Sequence, residues 1–134
     1  MPGSFFDTNV IVYLVSGNQA KADRAEALIE AGGATSVQVL NELANVARRK
    51  MGLPWDELRL LLSTICSLLD VRALTRELHV SGLALAERHG LSIYDAMIVA
   101  AALAAECETL WSEDMHHGLM IERRLRIINP FAAT

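Results

Sequence analysis

Five short segments with the character of β-strands alternate along this chain with longer stretches of helical periodicity. The strand candidates, each bounded by turn or helix signals, are residues 3–7, 34–36, 70–74, 109–112 and 125–128. Strands that are joined through helices pair in parallel, because the crossover helix returns the chain to the same end of the sheet. The alternation therefore predicts an α/β fold with a short-stranded, mainly parallel sheet covered by helices on both faces.

Apolar residues recur every three to four positions in the intervening stretches, and local signals mark helix starts. Pro54 suits the first residue of one helix, and Thr75 and Ser92 suit the N-caps of two others. The predicted helices are a brief one within 10–15, then 20–31, 37–51, one beginning at Pro54, 76–89 and 93–106.

The composition is that of a globular protein, and the chain length fits a single domain spanning residues 1–134. Hydrophobic residues make up 52% of the chain against 21% charged, which excludes a disordered chain and predicts self-association. The longest apolar run, which includes Met97 to Ala105, falls short of the roughly 20 residues that a membrane-spanning helix needs. With no basic leader before the first apolar segment, we expect a cytoplasmic protein without a membrane partner.

Cysteines and net charge narrow the function classes further. Cys66 and Cys107 lie in helical apolar patterns without zinc-ligand spacing, so we interpret both as buried, reduced thiols. The formal net charge of −4 gives the whole molecule no attraction to nucleic acid. Phosphate contacts would have to come from two basic clusters, residues 48–50 and 123–126, which we otherwise interpret as solvated faces or, for the second, a surface for a protein partner.

Four acidic residues stand where a parallel sheet places its ligand crevice, beyond the carboxyl ends of the strands. Asp7 ends an apolar segment at a position where a soluble protein would usually place another apolar residue. Asp7 and Asp114 follow predicted strands directly, and the helices that carry Glu42 and Asp95 can deliver two more carboxylates to the same edge. The sequence therefore predicts that these four acids converge.

Each acid also has a structural explanation that the sequence leaves open. Asp7 is suited to cap the following helix, and Glu42 shares a helix face with Arg49. Residues 92–95 match a capping box, which alone accounts for Asp95, although its helix face continues through core positions. An Asx turn accounts for Asp114.

The loop around Asp114 carries three further polar candidates. Glu113 is an alternative ligand that ranks below Asp114, because adjacent residues leaving a strand point in opposite directions. His116 and His117 are neighbours in a polar loop, and we interpret them as solvated rather than metal-binding.

Gathered carboxylates repel one another unless a cation neutralises them. Mg²⁺ suits an all-oxygen set, with Mn²⁺ as a substitute, because Mg²⁺ takes one or two carboxylates directly and keeps several waters. Zinc would favour His or Cys ligands. The four acids therefore predict a site for a hard divalent cation.

Four segments resemble, in this order, the motifs of the PIN-domain family, and the resemblance extends over essentially the whole chain. They are Phe-Phe-Asp-Thr-Asn at 5–9, Ser-Val-Gln-Val-Leu-Asn-Glu at 36–42, Tyr-Asp-Ala-Met-Ile at 94–98 and Ser-Glu-Asp-Met-His-His-Gly at 112–118. Within that family the chain looks most like VapC-type toxins of bacterial toxin–antitoxin pairs, which commonly close with a strand like residues 126–131.

The resemblance implies a three-layer α/β/α fold, endoribonuclease activity with Mg²⁺ or Mn²⁺, homodimerisation and inhibition by a small cognate antitoxin. By motif position it maps the family's acids onto Asp7, Glu42, Asp95 and Asp114, with Thr8, Asn9 and Ser112 as supporting polar residues. Thr8 and Ser112 would hydrogen-bond the carboxylates. Many relatives carry a further acid shortly after the fourth, where this chain has His116 and His117, so the number of metal ions stays open.

Two other functions remain possible for such a chain. A Mg²⁺-binding regulatory module that accepts a phosphoryl group on Asp normally has paired acids at the first strand and a Lys near the last one. We disfavour it because Lys50 is the only Lys after position 21. A PIN-like protein that binds RNA without cutting it keeps the fold and drops catalysis, and a metal titration with an RNA cleavage assay would separate the three functions.

Overall fold

A six-stranded sheet forms the centre of the computed structural model, which describes residues 3–132. The order across the sheet is β3-β2-β1-β4-β6-β5, in which β5 is antiparallel to β6 and all other neighbours are parallel. The strands are β1 Ser4–Phe6, β2 Ala34–Ser36, β3 Asp70–Arg72, β4 Thr109–Trp111, β5 Met120–Ile121 and β6 Leu125–Ile128. The predicted α/β fold with a short-stranded, mainly parallel sheet is confirmed.

Six helices and one 3₁₀ turn, Val12–Val15, connect the strands. The helices are α1 Thr8–Ile11, α2 Gln19–Glu30, α3 Val37–Arg49, α4 Trp55–Leu68, α5 Arg76–His89 and α6 Ile93–Ala104. The side chains of Thr75 and Ser92 cap α5 and α6, as predicted. Pro54 is the residue before α4 rather than its first residue, because its ψ of 153° is extended.

The predicted buried helix is confirmed in α6, which is buried continuously from Ala96 to Ala102. Its alanines allow neighbouring elements to approach closely, and α5 contributes a glycine to this contact. A Cβ placed at Gly82 would lie 2.7 Å from the Met97 sulfur. None of the helices described within residues 3–132 is long and apolar enough to cross a membrane.

One prediction about the thiols is wrong. Cys107 is buried, but Cys66 is exposed on α4, where its neighbour Ile65 takes the inward position. Successive helical residues lie about 100° apart, so an apolar stripe includes one of them and excludes the other. Both thiols are free.

The sheet topology places a crevice between β1 and β4. The chain leaves β1 for β2 on one side and later enters β4 on the other side, and such a reversal opens a gap at the carboxyl ends of the two strands. Asp7 follows β1 and Ser112 follows β4. A hydrogen bond of 3.0 Å from the Asp7 amide to the Trp111 carbonyl continues the pairing of the two strands to this edge.

Candidate active site

The carboxylate of Asp7 lies at the centre of this edge and is only 4% exposed. Its Oδ1 accepts a hydrogen bond of 2.7 Å from the Thr8 amide, which makes Asp7 the N-cap of α1. Its Oδ2 accepts from the Ser112 hydroxyl at 2.8 Å and from the Asn9 side-chain amide at 3.3 Å. The capping role and the central position in the site thus belong to the same side chain.

Burial makes the ionised form of Asp7 costly. Desolvation raises the pKa of Asp7 from 3.8 to about 7, although hydrogen bonds from Ser112 and Thr8 act in the opposite direction. The negative charges of Asp95 and Glu42 raise this pKa further. Within residues 3–132 no Lys, Arg or His forms an ion pair with Asp7. A proton or a bound cation is therefore needed to neutralise this carboxylate.

Glu42 reaches the site from α3 and is half-buried. Its Oε1 accepts a hydrogen bond of 3.2 Å from the Thr8 hydroxyl, and its Oε2 accepts one of 2.7 Å from the Gln38 side chain. In the described part of the chain Glu42 makes no ion pair with Arg49, the alternative that the sequence left open. The contact with Thr8 orients Glu42 toward Asp7 instead.

Asp95 combines the capping box with a place in the acid cluster. Its backbone amide donates to the Ser92 hydroxyl at 3.1 Å, so the capping explanation of this motif holds. Burial raises the pKa of its half-buried carboxyl, the hydrogen bond with Ser92 lowers it, and the negative charge of Asp114 raises it again. The negative charge of Asp114 therefore acts on Asp95, and the negative charge of Asp95 acts on Asp7.

Asp114 and Glu113, which follow β4, lie in different surroundings. Asp114 is exposed, near enough to Asp95 for the two charges to interact. Glu113 accepts hydrogen bonds from the Tyr13 hydroxyl at 2.6 Å and from the Lys21 ammonium at 2.5 Å. Glu113 is thus paired with a cation and Asp114 is not among the described ion pairs, and the ranking of Asp114 above Glu113 as a ligand stays a prediction.

The two histidines lie outside this cluster. Both are exposed, and His117 Nδ1 accepts a hydrogen bond of 2.9 Å from the Asn129 amide, which ties the loop to the end of β6. Among the basic residues, Arg48 stacks on Trp55 with 4.3 Å between the guanidinium carbon and the ring centre. Arg48 also donates to the Leu53 carbonyl at 2.8 Å, so its guanidinium is held in place.

Asn9 links the two halves of the site. Its side-chain amide donates to Asp7, and also to the Ser112 hydroxyl at 3.4 Å. Its side-chain carbonyl accepts from the Glu113 amide at 2.9 Å. Thr8, Asn9 and Ser112, the three polar residues named from the sequence, therefore all contact the acids or their loop.

Sequence reasoning missed three residues of this site. Gln38 lies one turn before Glu42 on α3, so the spacing of four residues was a usable signal. Tyr13 and Lys21, which hold Glu113, are about 100 and 92 positions away from it, and no local pattern indicates such a contact.

The donor set fits a hydrated divalent cation better than a tightly caged one. Within residues 3–132 no three Asp, Glu, His or Cys side chains are arranged to hold a metal ion directly. The four acids nevertheless offer only oxygen atoms, and the charges of Asp95 and Glu42 act on Asp7 as that of Asp114 acts on Asp95. Mg²⁺ fits such a set, because it commonly binds one or two carboxylates directly and others through retained water.

Several solved structures share this fold at 20% sequence identity. One is a toxin–antitoxin complex from Klebsiella pneumoniae, with a TM-score of 0.73, covering 97% of this chain and 99% of that chain. Another is DNA-bound VapBC from Salmonella typhimurium, with a TM-score of 0.69 and coverage of 95% and 97%. A third is VapC20 from Mycobacterium tuberculosis, a sarcin–ricin loop cleaving toxin, with a TM-score of 0.65 and coverage of 83% and 89%.

Comparison with curated proteins gives no match. The family profile described as the PIN domain matches residues 4–118, which include β1, β4 and all four acids. Because this match spans most of the sequence, the chain belongs to the PIN-domain family, and its structural neighbours are VapC toxins and toxin–antitoxin complexes.

Proposed function

We propose that this chain is an endoribonuclease that depends on Mg²⁺ or Mn²⁺ and is the toxin of a toxin–antitoxin pair. The observation that carries the proposal is the environment of Asp7, whose buried carboxylate has two like charges acting on it and no ion-pair partner within residues 3–132. A hard cation would relieve this arrangement. Membership in the PIN-domain family, whose VapC relatives are nucleases, supports a nuclease of the hydrolase class.

We assign different roles to the site residues according to their exposure to solvent. Asp7 is the buried anchor, and Asp95 and Asp114 provide carboxylates closer to solvent. Ser112 and Asn9 fix the orientation of the Asp7 carboxylate, and rigid orientation of this kind favours a single binding geometry. A bound Mg²⁺ would supply a water of lowered pKa and neutralise charge that develops on the scissile phosphate.

Glu42 is suited to a different task from the other acids. Thr8 and Gln38 each hold one of its oxygens, but a carboxylate oxygen can accept more than one hydrogen bond. The remaining acceptor positions could orient an attacking water toward a phosphodiester bound beside Asp7. We therefore assign Glu42 to orientation of the nucleophile.

Neutralisation of single acids tests the chemistry. Purified protein should cut single-stranded RNA with Mg²⁺ or Mn²⁺ and stop cutting in EDTA. Asp7→Asn should lower the rate at least about a hundredfold, because loss of residues that merely support metal ligands already costs about 10- to 100-fold. Glu87→Gln, which neutralises an exposed acid on α5, is the matched control and should leave the rate unchanged.

The outcomes of this assay separate the candidate functions. Full cutting by Asp7→Asn would remove the proposed site, and cutting that persists in EDTA would remove the metal dependence. RNA binding without cutting under any metal would favour a binding protein that retains the fold.

An antitoxin partner is proposed from the neighbours that are toxin–antitoxin complexes. The product of a short reading frame next to this gene should co-purify with the chain and suppress its cutting. We also propose a homodimer, because large apolar side chains are exposed on α4 and α5, including Trp55, Leu60 and Val80. Sedimentation of the purified chain would measure its mass in solution.

A further inference from the structure

The loop that follows β4 carries Ser112 and Asp114, and it has no regular secondary structure before β5. Such a segment needs side-chain contacts to fix its conformation, since few backbone hydrogen bonds do so. Ser112 is held by its hydroxyl, which donates to Asp7 and accepts from the Met115 amide at 3.3 Å. Asp114 is exposed, and the backbone of the residue before it helps to set its position.

That residue, Glu113, is fixed at three points. Its amide donates to Asn9, and its two carboxylate oxygens accept from Tyr13 and from Lys21. These three contacts fix both the backbone and the carboxylate of Glu113.

Lys21 is itself held in an aromatic corner. Its ammonium lies 4.8 Å from the centre of the Tyr13 ring and 5.1 Å from the centre of the Phe131 ring. These two rings meet edge to face, with 4.9 Å between their centres. Cation–π attraction and the hydrogen bond of 3.2 Å from Lys21 to the Tyr13 hydroxyl favour one position of the ammonium.

We propose that Tyr13 and Lys21 are positioning residues, which hold Glu113 so that Asp114 faces the acid cluster and Glu113 stays out of it. Tyr13, Lys21 and Glu113 together form what we call the Glu113 clamp. The inference rests on the proposed function, because positioning Asp114 matters only if the acid cluster binds a cation. The clamp joins the 3₁₀ turn and α2, which follow β1 in the chain, to the loop after β4.

A change of Lys21 alone would not test this role cleanly. Loss of its positive charge would make the acid cluster more negative and strengthen cation binding, whereas loss of the loop conformation would weaken it. The pair Lys21→Met with Glu113→Gln removes one charge of each sign and leaves the net charge unchanged. Positioning then predicts weaker cation binding, and a purely electrostatic role predicts no change.

The experiment is a titration of the full chain with Mn²⁺, with free Mn²⁺ measured by its paramagnetic resonance signal. The charge-balanced pair should raise the Kd for Mn²⁺ about tenfold, the size typical of losing residues that orient metal ligands. Lys21→Arg keeps the charge and should leave the Kd close to that of the unchanged protein. Arg88→Met with Glu122→Gln removes another ion pair of 2.5 Å, together with the contact of Glu122 with His89, at the end of the sheet where β6 begins. This control should also leave the Kd close to that of the unchanged protein.

A Kd of the charge-balanced pair that equals that of the unchanged protein would overturn the clamp, even with cation binding established. An unchanged protein that binds no Mn²⁺ would instead overturn the proposed function, and the positioning role with it. Tyr13→Phe removes the hydrogen bonds of the hydroxyl with Glu113 and with Lys21 but no charge, so it serves as a second variant if the charge-balanced pair fails to fold. Hydrogen exchange of the amides of residues 112–117 should be faster in each weakened variant, and unchanged exchange would also contradict the clamp.

Discussion

At the scale of single residues, Asp7 links the site to the stability of the protein. Its pKa is 3.8 in an unfolded chain and about 7 in the fold, mainly because of burial. Between about pH 4 and 7 the unfolded chain releases this proton while the folded protein retains it, so the free energy of unfolding falls as the pH rises. At about 1.4 kcal/mol per pKa unit, the loss is on the order of 4 kcal/mol.

Asp7→Asn should remove this loss, because Asn still caps α1 but does not ionise. In EDTA, the stability of the variant relative to the unchanged protein should rise between pH 4 and pH 8 by an amount on the order of 4 kcal/mol. Urea unfolding at several pH values measures it. Mg²⁺ at pH 8 should stabilise the unchanged protein and not the variant, and parallel pH curves for the two proteins would contradict the prediction.

Single residues also show what the sequence reveals about a site and what it conceals. Asp7 and Asp95 stood out because each interrupts an apolar pattern, and the structure brings their charges together with those of Glu42 and Asp114. Their role as metal ligands stays a prediction. The contact between Lys21 and Glu113 could not be predicted from the sequence, because it depends on how α2 packs against a loop 92 positions away.

At the scale of elements, Gly33 allows β1 and β2 to lie close together. Gly33 precedes β2 with a φ of +146°, and a Cβ there would lie 2.4 Å from the Ser4 carbonyl oxygen. Gly32 also has a positive φ, of +92°, but nothing lies within 4 Å of its Cβ position. A side chain at either position would therefore strain the backbone, but only a side chain at position 33 would also clash with β1.

Gly33→Ala should consequently cost about 2 kcal/mol more than Gly32→Ala in free energy of unfolding, because the obstacle is backbone and cannot rotate away. Thermal or urea unfolding of the two variants gives the comparison. Equal losses of unfolding free energy in the two variants would mean that β1 can shift to make room for the added methyl group without an energetic cost. Since Asp7 follows β1, Gly33→Ala should also lower cutting activity, whereas Gly32→Ala should spare it.

Most elements were predictable because their periodicity is carried by several residues at once. The five predicted strands and the five longer predicted helices end within about two residues of their observed bounds, as expected for frayed ends. The antiparallel strand β5 was missed, because two residues are too few to show a period. The turn that joins β5 to β6 places Glu122 and Arg123 in left-handed backbone conformations. Residues other than glycine rarely adopt this conformation, so the sequence does not indicate the turn.

At the scale of the whole molecule, the distribution of charged residues is unfavourable for extended contact with a nucleic-acid backbone. The net charge is −4, Arg48 is held against Trp55, and Arg49 lies about 10 Å along α3 from Glu42. Arg123 and Arg124 precede β6, which puts them at the opposite edge of the sheet from the acids. Lys21 lies beside the acid loop but is paired with Glu113. RNA bound at the acids should therefore meet few free cationic side chains, and the divalent cation should carry most of the attraction.

This arrangement predicts a shallow dependence of RNA cleavage on monovalent salt. For single strands the slope of log affinity against log salt is about −0.7 per phosphate neutralised, so contact with three phosphates or fewer gives a slope no steeper than about −2. The measurement is kcat/KM for a short single-stranded RNA at several KCl concentrations and saturating Mg²⁺. Arg123→Asn, which preserves a left-handed backbone, should leave both the rate and the slope unchanged. A slope steeper than about −4 would require about six phosphate contacts and would place a basic surface beside the acids, contrary to this structure.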